Sequence, residues 1–125
     1  VGRHQEAVAA ADAVRRVRRL AEVDPDAHQE RLARALAHSA KISLDAGHDL
    51  RTALSAVAEA EELYLILAEE SRSNIAAYAP YLQTALDLHA HILEALGRTT
   101  EAGALRRLRR TGDPTEVRRM ILRGR

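Results

Sequence analysis

Apolar residues along this chain recur at three- and four-residue spacings and nowhere alternate with period two, which predicts helices and no strands. Gly2, Gly47 and Gly97 punctuate long helical stretches, with further breaks at Asp24-Pro25-Asp26 and Ser71-Arg72-Ser73-Asn74. Asp113-Pro114-Thr115-Glu116 opens a last short segment, with Asp at N-cap, Pro at N1 and Glu at N3. The predicted helices run roughly over 3–23, 27–46, 49–70, 75–96, 98–110 and 114–123. In 75–96 one apolar row is Leu82, Leu86, His89, Leu93 and Leu96, and a second is Tyr81, Ala85, Leu88, Ile92 and Ala95. Thr84, Asp87, His91 and Glu94 form the remaining stripe. A helix apolar over two adjacent rows packs between neighbours and leaves only that stripe exposed. In 49–70, Ala53, Val57, Ala60, Tyr64 and Leu67 face inward, while Ser55, Glu59, Glu62 and Glu69 face out. Such helices form a stack.

The stack is repetitive. At a constant offset, Leu32 pairs with Leu82, Ala35 with Ala85, Leu36 with Leu86, Ala40 with Ala90, Ile42 with Ile92 and Gly47 with Gly97. The preceding helices correspond too, Leu20-Ala21-Glu22 matching Leu67-Ala68-Glu69. A third copy begins at Gly97, where Glu101-Ala102 echoes Glu6-Ala7, and Leu105 and Leu108 with their arginine pairs echo Val14 and Val17 with theirs. One two-helix design is repeated about every 45 to 50 residues, giving a single domain over 1–125 with repeats near 2–46, 47–96 and a partial 97–125.

Gly2-Arg3 with Glu6-Ala7, Asp24 through His28, Leu32 through Leu36, and Gly97-Arg98 with Glu101-Ala102 resemble tetratricopeptide (TPR) repeats. The resemblance is to the long-helix, kinesin-light-chain-like kind found in large bacterial regulatory proteins, and it covers nearly the whole chain. It implies an all-α, right-handed stack of antiparallel helical hairpins, a TPR-like α-solenoid of about two and a half repeats. The repeat is longer than the usual one, and Leu36, Ser43, Leu86 and Leu93 fill the consensus aromatic positions. Other helical-hairpin repeats and a plain helical bundle fit the same pattern.

Composition narrows the chemistry. The chain is 46% hydrophobic but has three Tyr as its only aromatics and no Cys, so its core is Ala, Leu, Val and Ile. Disulfides, thiolate zinc sites and cysteine nucleophiles are excluded. The apolar stretches are too short for a membrane span, and no signal segment opens the chain, which points to the cytoplasm. A first residue Val1 suggests an excerpt of a longer protein. His89 lies on a core row and reads as a buried, hydrogen-bonded imidazole. His91, about 200° further round the helix, cannot share a metal with it. No phosphate loop, dinucleotide fingerprint or nucleophile elbow occurs, and the carboxylate pairs read as solvated faces with none desolvated in a pocket. No catalytic residue, metal site or cofactor is assigned, and the expected function is non-enzymatic.

The net charge of +1 conceals an uneven distribution. Residues 98–125 carry nine Arg against Glu101, Asp113 and Glu116, while the rest of the chain is acidic. Arg106, Arg107, Arg109, Arg110, Arg118 and Arg119 form a candidate basic patch. It would suit nucleic acid, although aromatic stacking platforms are missing. The alternative is that basic helices 3–23 and 98–110 complement acidic helix 49–70. In TPR-like stacks the helix before the Gly turn lines the concave surface, here 27–46 and 75–96. The candidate groove residues are therefore Arg34, Lys41 and Asp45 on one side and Thr84, Asp87, His91 and Glu94 on the other. A groove of both charge signs suits a peptide or partner helix. The bland alternative is solvation, with Glu30–Arg34 and Lys41–Asp45 as ordinary intrahelical pairs. Uncapped ends, with Leu54, Leu65 and Ile66 near exposed rows, make homo-oligomerisation or a regulatory role the second expectation. A nucleic-acid-associated role is the third.

Overall fold

The computed structural model describes residues 2–70 and 75–111, and Arg119 beyond them. Five helices follow one another: α1 (Gly2–Val23), α2 (Pro25–Ala46), α3 (Leu50–Glu70), α4 (Ile75–Ala95) and α5 (Thr99–Thr111). No strand occurs among the described residues. The sixth predicted segment, 114–123, lies outside the described residues but for Arg119, as does the Ser71–Asn74 break.

Local chemistry sets each boundary. Helix α2 starts two residues before its predicted beginning because Pro25 takes the first helical position, where its missing N–H costs nothing. Asp24 caps it, accepting from the backbone N–H of Ala27 at 3.4 Å. Asp49, at φ 50°, accepts from the N–H of Thr52 ahead of α3. Helices α2 and α4 end identically. Gly47 and Gly97 adopt φ of 63° and 80°. Gly47 N–H donates to Leu44 and His48 N–H to Ser43, while Gly97 N–H donates to Glu94 and Arg98 N–H to Leu93. Both are Schellman turns, in which two of the last unpaired carbonyls of the helix find donors.

With so few residues between them, successive helices double back and pack each on the next, and α2 also touches α4 directly. The core is a continuous seam of three overlapping clusters. Ala21 of α1 meets Leu32, Ala33 and Leu36 of α2 and Ala60 and Tyr64 of α3. Ala40 of α2 meets Ala53 and Val57 of α3 and Ala85 and Ile92 of α4. Leu86, Ala90 and Leu93 of α4 meet Ala102, Leu105 and Leu108 of α5. Leu54 and Leu65, expected near exposed rows, are instead half-buried over this last cluster.

The sequence repeat is legible in the packing. Leu36 and Leu86 are both 3% exposed, and Ala40 and Ala90 both 1%. Where the two copies differ, the neighbours differ. Ala85 and Ile92 are buried because α2 and α3 precede α4. Their counterparts Ala35 and Ile42 are half-buried, since only α1 precedes α2 among the described residues.

The glycines give opposite expectations for one substitution. No atom lies within 4 Å of a β-carbon built on Gly97 or Gly103, so only backbone conformation distinguishes them. Gly97→Ala places an L-residue at φ 80° and is expected to cost about 1 kcal/mol. Gly103→Ala, inside α5, is expected to add roughly 0.5–1 kcal/mol. Urea unfolding of the two variants checks both signs.

Candidate binding groove

Side chains of α2 and α4 that face neither the seam nor each other leave an open groove of about 650 Å³ between the two helices. Arg34, Ala37, His38 and Lys41 form one wall, successive turns of α2 presenting the same face. The α4 wall includes Tyr81, Thr84, Asp87, Leu88 and His91, with Ala85 and Tyr64 of α3 at the base. Of the seven residues predicted to line a groove, the fold brings together Arg34, Lys41, Thr84, Asp87 and His91. Asp45 and Glu94 stand outside its lining.

The base of the groove gathers the aromatic content of the chain. Tyr64 stacks on Tyr81 with ring centroids 5.8 Å apart and planes 14° from parallel, and lies 6.5 Å from Tyr78 at a 37° tilt. Tyr64 is 2% exposed, while Tyr81 is 45% exposed beside it. Burial pushes the Tyr64 phenol up to about 12, with the Arg34 charge opposing, so it stays a neutral donor. Sequence reading placed Tyr64 and Tyr81 on inward rows of separate helices without joining them. The signal was the spacing of Tyr78 and Tyr81, three apart and so on one face of α4.

The groove lining holds both signs, Arg34 and Lys41 with Asp87, but the acidic side is paired within the fold. Asp87 is bridged by Arg109 of α5, Nε to Oδ1 at 3.0 Å. Glu94 is hydrogen-bonded by Arg106 of α5, which holds its carboxyl below the ordinary range. Helix α5 thus pairs the acidic side chains of α4, and the groove lining carries Arg34, Lys41 and two imidazoles with one bridged carboxylate, Asp87. Thr84 donates its hydroxyl to the Pro80 carbonyl one turn back, at 2.9 Å. Arg34 has only the surface pair with Glu30, at 3.4 Å, as its intrahelical spacing predicted.

The basic patch is redistributed by the same contacts. Arg106 and Arg109 point to α4, while Arg107 and Arg110 are exposed on α5. Arg118 lies outside the described residues, and Arg119 is exposed. Helix α1 does complement α3, through a two-pronged bridge of Arg18 to Glu59 at 2.7 and 2.9 Å. Helix α5 complements α4 rather than α3.

One carboxylate overturns the sequence reading. Glu61, expected on a solvated face, is 0% exposed. It lies four residues after Val57 and three before Tyr64, which puts it on the inward face by spacing alone. Its partner is His89, whose Nδ1 lies 2.8 and 3.0 Å from the two carboxylate oxygens. The expected hydrogen bond of His89 holds, but the ring is half-buried, its side chain 17% exposed. Burial raises the Glu61 pKa, and the hydrogen bond and charge of His89 offset part of the rise. The pair sits across the α3–α4 contact, away from the groove lining.

Among the described residues, no group of three or more His, Asp or Glu stands together in a way that could hold a metal ion. None of their helices is long and apolar enough to cross a membrane. Comparison of the chain with protein-family models, curated proteins and solved structures finds no match to any of them.

The buried pair makes stability depend on pH and on pairing. A folded pKa above the unfolded value means that the contribution of Glu61 is complete below about pH 4.5 and is lost as pH rises through the folded value. In thermal denaturation from pH 7 down to 4.5, the Tm of the native chain is therefore expected to gain on that of Glu61→Gln. A flat difference would mean that Glu61 titrates as if exposed. Removing His89 alone strands a carboxylate, and His89→Leu is expected to cost about 3–5 kcal/mol. The double change to Glu61→Leu and His89→Leu should recover most of that loss in the same melts.

Proposed function

We propose that this chain is a TPR-like helical-repeat module, about two and a half hairpins in a right-handed stack, that binds a segment of another protein in the α2–α4 groove. The observation that carries the reading is the groove itself. It is an open channel of about 650 Å³ in which aromatic surface meets cations and neutral donors. Recognition sites are mostly apolar with a few placed polar groups, and tyrosine supplies large contact area at low entropic cost. The matched Schellman turns and equal burial of corresponding residues support a repeat. The direct contact of α2 with α4 joins the second helices of successive hairpins, as stacking of the hairpins requires.

The mechanism is passive and non-catalytic. The helices hold the groove side chains in place before a partner arrives, so less freedom is lost on binding. The two other readings have weaker footing. Self-association through α1 would use exposed Val8, Leu20 and Val23. However, Asp12, Arg16 and Arg19 interrupt them on that face, so no continuous apolar patch forms. Nucleic-acid binding through α5 loses Arg106 and Arg109 to α4.

The test is a pair of exposed substitutions. Tyr81→Ala and Lys41→Glu are each expected to weaken capture of a peptide from an unbiased array by about tenfold, at unchanged helicity by circular dichroism. Peptide capture indifferent to both variants would remove the groove reading.

A further inference from the structure

The groove has a charge and a ruler, and together they specify its occupant. Its α2 wall carries Arg34 and Lys41 seven residues apart on one face, about 10.5 Å along the helix axis at 1.5 Å per residue. Exposed His38 lies between them. The facing carboxylate, Asp87, is engaged by Arg109 and the next one along α4, Glu94, by Arg106. A basic ligand entering the groove would meet two cations, with its carboxylate partners already bridged. An acidic ligand meets the cations directly, and Arg34 gives up only an exposed pair with Glu30.

Among extended backbone forms, the same spacing distinguishes two. In a fully extended strand, residues three apart point to opposite faces, and residues two apart are only about 6.6 Å from each other. In the left-handed polyproline helix, residues three apart share a face at about 9.3 Å, close to the Arg34–Lys41 interval. That helix is also the form that aromatic-lined grooves recognise, because proline rings pack on flat aromatic surface. Tyr81, 45% exposed and backed by the buried ring of Tyr64, provides such a surface in the groove that Arg34 lines.

We propose that the groove takes an acidic segment in polyproline conformation with carboxylates at positions i and i+3, both facing α2, and prolines or other apolar residues between them resting on Tyr81. This rests on the groove reading above and adds the chemistry of the ligand. In this arrangement α5 is a positioning element: Arg109 touches no ligand but neutralises the wall opposite it.

The experiment uses fluorescein-labelled peptides and the whole chain, followed by fluorescence anisotropy, with a random twelve-residue peptide array alongside. The probes contain Glu-Pro-Pro-Glu, Glu-Pro-Glu or Lys-Pro-Pro-Lys between neutral flanks, and a twelve-nucleotide oligothymidylate is the fourth. Glu-Pro-Pro-Glu is expected to bind about tenfold tighter than the lysine peptide and about threefold tighter than the shorter spacing. Arg34→Glu and Lys41→Glu should each weaken it about tenfold, and Arg109→Ala, which releases Asp87, about threefold. Circular dichroism melts confirm that each variant is folded. Array peptides that need Tyr81 but show no acidic spacing, or equal binding of the lysine peptide, would overturn the proposal and leave the groove reading standing. Oligothymidylate binding as tight as that of the acidic peptide, with the same Arg34 and Lys41 dependence, would overturn it in favour of a phosphate backbone. No peptide of any kind sensitive to Tyr81→Ala would overturn both.

Discussion

Everything in this fold depends on helices approaching closely enough for alanine to exclude water. With no Phe or Trp, the chain has no large side chain to bridge a wide gap between helices except three tyrosines. The seam is accordingly made of Ala33, Ala40, Ala53, Ala60, Ala85, Ala90 and Ala102, each at most 2% exposed, with branched residues such as Val57 and Ile92 between them. Small side chains bring backbones together, and dispersion contacts accumulate only at that range. The short connections and the two Schellman glycines serve the same end, since they fix where each helix stops and so which methyl meets which. The groove is the complement of this seam. Where the facing residues of α2 and α4 are long and polar instead of methyl, the helices part.

Within so tight a seam, the Glu61–His89 pair is the expensive element. A carboxylate at 0% exposure loses its water, and one imidazole stands in for it at hydrogen-bond distance. Its repeat counterparts are not ionic: His89 aligns with Ser39, and Glu61 with Val14 in the register of the preceding helices. The pair is therefore a feature of the α3–α4 contact alone. It distinguishes that junction from one that alanine and leucine would fit in several registers, a role attested for buried polar groups elsewhere.

The helical pattern was legible to within two residues at every described boundary, because caps and glycines are local and the code for them is short. The groove walls were legible for the same reason: a stripe of Arg34 and Lys41 or of Thr84, Asp87 and His91 is a matter of spacing along one helix. Charge pairing was not legible. That Arg106 meets Glu94 and Arg109 meets Asp87 depends on the rotation of α5 against α4, which Leu105 and Leu108 determine by packing and no spacing rule within α5 reveals. Glu61 is a different kind of miss. Its inward position could be counted from Val57 and Tyr64, but a glutamate next to Glu62 reads as surface by composition, and composition outweighed periodicity.

The dependence of the groove on α5 follows from this division. Helix α5 shares no lining residue with the groove, yet Arg109 pairs with Asp87, the carboxylate of its lining. Were α5 absent, Asp87 would stand in the lining with no cation of α5 beside it, and Arg34 and Lys41 across the groove would be the nearest basic wall. With α5 packed by Leu105 and Leu108, Asp87 and Glu94 pair with its arginines, while Lys41 and Arg34 of the α2 wall are not engaged by α5. Packing and the charge pairing beside the groove are therefore coupled through one apolar contact. The leucines that close the last core cluster also set the register in which Arg109 finds Asp87, and so the charge pairing of a surface they do not line.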